Sequence, residues 1–299
     1  IEPFDRPMVR EDFEAPPYVR GARAAVNVLR AGRAMARLTR LIRRGQFDLV
    51  YCNGTNADFA GGLLAKTSGV PVLWHVRYTS LPKAVRGLHD RLAASQGVAR
   101  IVFPHCPEKV RVIHNALDTE EFDASGITPR LKTELGLPPD AVVFGSHGRI
   151  LPRKGYVEMI HAARIALAAM SEEERRRAFF AVLGDTPEDI RPDHLGECRA
   201  LVSTLGLDDK FRFLGFCADI KPYAADFDVA VVPSVYADPL PRAVIEAMAL
   251  SKPVIAFDVG GVSEMLQGGT TGTLVRAGDS DALAQEMLRY LRDPELRAA

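Results

Sequence analysis

The chain has 299 residues, 47% of them apolar and 25% charged, with a formal net charge of +0. That length buries a core in each of two medium domains, and the balanced charge argues against a general nucleic-acid binder. No run of about 18 apolar residues is present to span a bilayer as a helix, and no signal peptide is visible. The halves differ in charge. Residues 1–137 carry 20 basic and 14 acidic side chains, a net of +6, and the remainder carries 18 and 24, a net of −6.

In chain order, an irregular opening with Pro3, Pro7, Pro16 and Pro17 leads into a helix over residues 20–44. That helix holds 8 Arg and no acid. At 100° per residue, Arg23, Arg30, Arg33, Arg37, Arg40 and Arg44 share one face, with Val28, Ala31, Met35, Leu38 and Ile42 roughly opposite. The pattern fits a core-packing helix with a solvated Arg face. It is also compatible with a helix whose Arg face meets an anionic membrane surface.

Short β-branched runs then alternate with helical stretches, the mark of parallel α/β architecture. Strands are expected at 48–52, 70–76, 100–103 and 110–114 in a first domain. A second set is expected at 141–146, 179–183, 211–214, 228–233, 253–257 and 273–276. The Pro- and Gly-bearing stretch from Asp118 to Pro139 contains the expected boundary, which divides the chain into 1–125 and 126–299. The first domain reads as incomplete at its start and at the abrupt Phe103–Pro104 join, and a closing helix beyond Ala299 reads as absent.

Cys52, Cys106, Cys198 and Cys217 match no Cys-x-x-Cys spacing, so neither a metal nor a redox motif is indicated. Cys52 and Cys217 read as buried small hydrophobes, and a reduced, cytosolic compartment fits.

Three strings carry chemistry. In His147-Gly148-Arg149-Ile150-Leu151-Pro152-Arg153-Lys154-Gly155, a strand ends and a helix begins near Tyr156. A helix start offers unpaired N–H groups, and Arg149 and Lys154 add two cations, which suits a diphosphate. Alone, the string also fits a basic surface turn. In Asp238-Pro239-Leu240-Pro241-Arg242-Ala243-Val244-Ile245-Glu246, Glu246 sits in a helix too apolar to be exposed. A buried carboxylate needs partners. Ribose hydroxyls would serve, as would backbone N–H groups around a purely structural Glu. Gly260-Gly261-Val262-Ser263-Glu264 marks a turn where backbone can approach a ligand, a weak signal by itself. His75 ends an apolar strand, where ligands of parallel sheets collect, though a lone His is often structural.

Together these strings resemble glycosyltransferase family 4. The likeness runs from Ile113-His114-Asn115-Ala116-Leu117-Asp118 to the end of the chain. The family's Gly-Arg-x-x-x-x-Lys-Gly string stands at Gly148 to Gly155, and its Glu-x7-Glu string stands at Asp238 to Glu246. Leu214-Gly215, Val232-Pro233-Ser234 and Lys252-Pro253-Val254-Ile255-Ala256 add to it. The resemblance implies a GT-B fold, two doubly wound Rossmann-like domains facing across a cleft. It also implies a retaining transfer of sugar from a nucleoside diphosphate sugar to a glycan or lipid-linked acceptor. Arg149 and Lys154 would hold the diphosphate, and Glu246 the ribose. Leu240, Gly215 and Phe216 would line the nucleotide site. Asp238 would contact the donor sugar, and His75 would sit near the reacting centre. No cofactor and no metal are implied, two cations taking the place of Mg²⁺. Apart from the resemblance, the Arg face of residues 20–44 points to a cytoplasmic protein held peripherally on the inner face of the membrane.

Two departures stand out. Asp238 replaces the usual first Glu, and Leu240 and Pro241 occupy positions where Phe and Gly are frequent. They leave room for a catalytically silent sugar-nucleotide-binding protein. A nucleotide-sugar epimerase of the same fold is a further alternative.

Overall fold

The computed structural model describes residues 22–45, 47–53, 69–76, 91–93, 110–188, 190, 192–266 and 271–298. The chain divides into two units, 1–113 and 114–299. The division falls ahead of the expected 125/126 boundary, because residues 114–125 already pack on the second unit. Asn115 donates from Nδ2 to the Leu240 carbonyl at 2.9 Å, and Phe122 is buried with Leu131 and Phe227.

In the first unit, the helix α1 (Ala22–Gly45) precedes a parallel sheet of β1 (Val50–Asn53), β2 (Val72–Val76), β3 (Arg91–Ala93) and β4 (Val110–Val112), ordered as in the chain. On α1, Ile42 is buried and Leu38 half-buried, while Arg33, Arg37, Arg40, Arg43 and Arg44 are exposed. Strand β3 lies where composition offers no strand signal. Its Arg-Leu-Ala run takes the extended form between β2 and β4, which supply ladders on both sides. The expected strand at 100–103 and the Phe103–Pro104 join lie outside the described residues.

The second unit is a six-stranded parallel sheet ordered β10-β9-β8-β5-β6-β7. Its strands are β5 (Val142–His147), β6 (Ala178–Leu183), β7 (Phe211–Gly215), β8 (Val229–Val232), β9 (Val254–Phe257) and β10 (Gly272–Val275). All six match expected runs, and the continuous apolar character of β8 and β9 fits strands covered on both faces. Alternate residues serve opposite faces. Val142 and Phe144 join Met159, Ile160 and Met287 of the helices α2 (Tyr156–Ala168) and α5 (Ser280–Arg292). Val143 joins Phe227 and Leu131 on the other side. Ala230 and Val232 meet Val244 and Ala247 of the helix α4 (Arg242–Ala249), and the helix α3 (His194–Thr204) covers the first face through Leu195, Cys198 and Val202.

The order of this sheet locates a site. From β5 the chain winds outward to β6 and β7, then returns to place β8 on the other side of β5 and winds outward again through β9 and β10. Winding therefore reverses between β5 and β8. In open α/β sheets, ligands bind outside the carboxyl ends of the strands at such a switch point.

Candidate functional site

The loop leaving β5 carries Gly148 to Gly155, and the loop leaving β8 carries Pro233 to Pro241. The Val235 N–H donates to the Arg153 carbonyl at 3.0 Å and ties the two loops together. Gly155 has φ 73°, and a Cβ there would lie 1.7 Å from the Pro233 carbonyl oxygen, so only glycine lets the loops approach this closely. Gly260, after β9, repeats the device. Its φ is 59°, and a Cβ would lie 2.1 Å from the Asp238 carbonyl oxygen. The Gly261 N–H donates to that oxygen at 3.0 Å, so the glycine turn serves to hold the Asp238 loop.

Side chains on these loops and on the elements they join form two closed groups. In the first, Lys154 Nζ lies 2.8 Å from Asp238 Oδ2, and the Tyr236 hydroxyl donates to the same oxygen at 2.8 Å. The guanidinium of Arg153 lies 5.0 Å from the centre of the Tyr236 ring. Burial and the adjacent Asp238 carboxylate push the Tyr236 phenol up to about 12, so it is a proton donor at neutral pH.

The second group surrounds Glu246, which is 8% exposed. His147 Nε2 lies 2.7 Å from Oε2, and Arg242 donates to Oε1 from Nε at 3.0 Å, with its Nη2 in ion-pair contact at 2.9 Å. Burial pushes this carboxyl up. Hydrogen bonds and charge from His147 and Arg242 more than offset that, so it lies below the ordinary carboxylate value. Glu246 is thus held by two side chains, neither of them a backbone N–H. Arg242 was legible four residues earlier on the same helix. His147 stood in the first string without a recognised role, and Tyr236, two residues before Asp238, lay outside all three strings.

Arg149 differs from both groups. It is exposed and, among the described residues, makes no hydrogen bond or ion pair. It stands before the amino end of α2, whose first N–H groups point out of the helix. Leu240 is buried at 4% exposure, and its carbonyl is taken by Asn115. Pro241 caps α4 with φ −65°, one position before the first helical residue. Gly215 closes β7 with its carbonyl accepting from Gly184 N–H at 2.8 Å, and Phe216 beside it is 78% exposed. Arg149, Lys154, Asp238 and Glu246 are therefore gathered at the β5/β8 switch point, with Leu240 on the same loop. Gly215 and Phe216 stand at the carboxyl end of β7. His75 belongs to the first unit. It lies near the end of β2, half-buried and paired in register with Asn53, and its Nδ1 meets the Tyr51 hydroxyl.

The family model for glycosyl transferases group 1 matches residues 141–293, and that for glycosyltransferase family 4 matches residues 4–121. D-inositol 3-phosphate glycosyltransferase 1 of Catenulispora acidiphila is 28% identical over 279 residues, covering 84% of this chain and 65% of that protein. The 2-deoxystreptamine glucosyltransferase of Streptomyces kanamyceticus is 33% identical over 218 residues, covering 69% and 51%. The chain thus spans between about half and two thirds of the length of these relatives. Among solved structures, Anabaena HepE in complex with UDP superposes with a TM-score of 0.76 at 24% identity, over 88% of this chain and 74% of that one. Sucrose-phosphate synthase from Thermosynechococcus elongatus gives 0.74 at 21% identity, over 99% and 79%. These likenesses show the fold.

Proposed function

This chain belongs to the glycosyl transferases of group 1, the family 4 type with the GT-B fold, and from that premise we propose that it transfers a sugar from a nucleoside diphosphate donor with retention of configuration. The observation that carries the proposal is the gathering of Arg149, Lys154, Asp238 and Glu246 where winding reverses in the second sheet.

Arg149 and Lys154 receive the diphosphate with the first N–H groups of α2, and they offset the charge that builds on it as the bond to the sugar breaks. No metal is assigned that task. Glu246 accepts from the ribose, Asp238 contacts the donor sugar, and Gly215, Phe216 and Leu240 line the nucleotide. His75 is assigned to the sugar or acceptor. UDP is the first nucleotide to test, since Anabaena HepE is described in complex with it. The acceptor is a hydroxyl of a glycan or lipid-linked saccharide. The exposed arginines of α1 fit an anionic membrane surface that presents such an acceptor.

The test is release of nucleoside diphosphate from a panel of nucleotide sugars in the presence of EDTA. Arg149→Ala and Lys154→Ala should each weaken nucleotide binding by about 1.5–3 kcal/mol, the range for hydrogen bonds to charged groups. Binding without any turnover would favour a silent sugar-nucleotide-binding protein. Unchanged affinity in both variants would remove the diphosphate assignment. Co-sedimentation with anionic but not neutral vesicles, weakened by salt, is the expected behaviour of α1.

A further inference from the structure

Glu246 has about four acceptor positions on its two oxygens. The Nε donor and the Nη2 ion-pair contact of Arg242 both sit on Oε1, and His147 occupies one position on Oε2. One position remains, on the oxygen that His147 holds. The two holders are not equivalent. The Arg242 side chain is 67% exposed and rotates away at little cost, whereas that of His147 is 8% exposed. His147 is also the last residue of β5, in register with Leu183, so its backbone is fixed by the sheet. Its ring lies 6.5 Å from that of Phe227, which limits it on one side. A second hydroxyl would displace Arg242 from Oε1 and leave the His147 bond in place.

We propose that His147 is a positioning residue. It fixes Glu246 in the orientation that accepts ribose hydroxyls, and so sets a preference for ribonucleotides over their deoxy analogues. The inference rests on the assignment of Glu246 to the ribose. Without the Nε2 donor, the carboxylate is free to turn about its last torsion. It then has only an exposed, displaceable partner, and the pre-set direction of its open acceptor is lost. The binding of a nucleotide lacking both ribose hydroxyls never used that acceptor and does not change.

Calorimetric titration of UDP and of 2′,3′-dideoxy-UDP against the whole chain separates the two assignments. The wild type should prefer UDP. His147→Leu should lose about ten-fold or more in affinity for UDP, the worth of a charge-assisted hydrogen bond, and little for the dideoxy form. His147→Gln should restore most of the preference, because its amide nitrogen reaches the position of Nε2. His147→Asn is too short to reach Oε2 and should behave as Leu does, so the Gln and Asn pair carries the test if the Leu variant does not fold. Full discrimination retained in His147→Asn or His147→Leu overturns the role of His147. Equal binding of the two ligands by the wild type overturns the ribose assignment of Glu246 first. If UDP does not bind, GDP and ADP with their dideoxy analogues replace it, and failure of all three overturns the nucleotide site itself.

Discussion

Replacing Asp238 with asparagine tests whether the ion pair at the switch point competes with a diphosphate. Lys154 Nζ and Asp238 Oδ2 are 2.8 Å apart, and the side chains are 20% and 14% exposed. At that separation and an effective dielectric constant of about 20, the gross attraction is about 6 kcal/mol. Desolvation of two largely buried ions offsets most of it, and a net of about 1–1.5 kcal/mol remains. A diphosphate that draws Lys154 away must overcome that amount and must also approach a carboxylate. Asp238→Asn removes both obstacles, while the amide oxygen it introduces still accepts from the Tyr236 hydroxyl. Affinity for sugar-free UDP should therefore rise about five- to ten-fold. Turnover of the nucleotide sugar should fall, because Asp238 is assigned to the sugar. Calorimetry at pH 7 on the wild type, Asp238→Asn, Lys154→Met and the double variant closes a cycle, and most of the gain should vanish without Lys154. Weaker UDP binding by Asp238→Asn than by the wild type would refute the reasoning, since the carboxylate would then support the diphosphate.

Other expectations concern stability and reactivity. Gly155→Ala should cost about 2–4 kcal/mol by urea denaturation, since its Cβ would lie 1.7 Å from a carbonyl oxygen at φ 73°; a loss under about 1 kcal/mol would mean that the two loops part easily. The Glu174 carboxyl is held down to about 2 from an ordinary 4.5, first by the Arg292 hydrogen bond and then by the Ser171 N–H. A depressed carboxyl stabilises the fold above its unfolded value, and the contribution drains as pH falls from about 4.5 toward 2. Arg292→Ala should flatten that part of the acid limb, and superimposable pH–stability curves would contradict the pairing. Burial, with the nearby Glu197 charge, pushes the Cys198 thiol up to about 12. At pH 8 a thiol reagent should modify Cys198 only after denaturation, and native labelling mapped to it by mass spectrometry would exclude this environment.

The fold of the second unit was legible because parallel strands with both faces covered read as unbroken apolar runs. Strands β6, β8 and β9 lie on such runs, and the edge strands β7 and β10, with Arg212 and Thr273 among their residues, are covered less completely. Arg91–Ala93 was not legible, since its extended form comes from its neighbours' ladders. Cys217 also departs from the sequence reading. It is only half-buried, and its thiol donates to the Asp219 carbonyl at 2.9 Å. At the site, residue types and spacing picked out Arg149, Lys154, Asp238 and Glu246, while the pairing among them was hidden. Lys154 and Asp238 are 84 residues apart, and His147 and Glu246 are 99. Both meetings depend on β8 pairing with β5, a property of sheet order that no local string encodes. The need of Glu246 for partners was legible from the apolar helix around it; that one partner would come from the end of β5 was not.

That sheet order also explains why the site holds its charges in closed groups. The switch point draws two loops from opposite windings against the same strand ends, and the loops bring acids and bases that would otherwise be buried singly. A lone buried Glu246 or Asp238 would cost several kcal/mol. His147 and Arg242 around Glu246, and Lys154 and Tyr236 around Asp238, supply partners without a ligand. Arg149 is left outside the exchange, exposed and unpaired among the described residues. It can therefore meet an incoming diphosphate without breaking a bond, whereas Lys154 has an ion pair to give up. Encounter through Arg149 followed by transfer of Lys154 predicts an asymmetry between the two cations. Arg149→Ala should mainly slow association, with a reduced dependence on salt. Lys154→Ala should mainly speed dissociation. Stopped-flow measurements of UDP binding at two ionic strengths resolve the rates, and equal effects of both variants on association would reject the sequence of events.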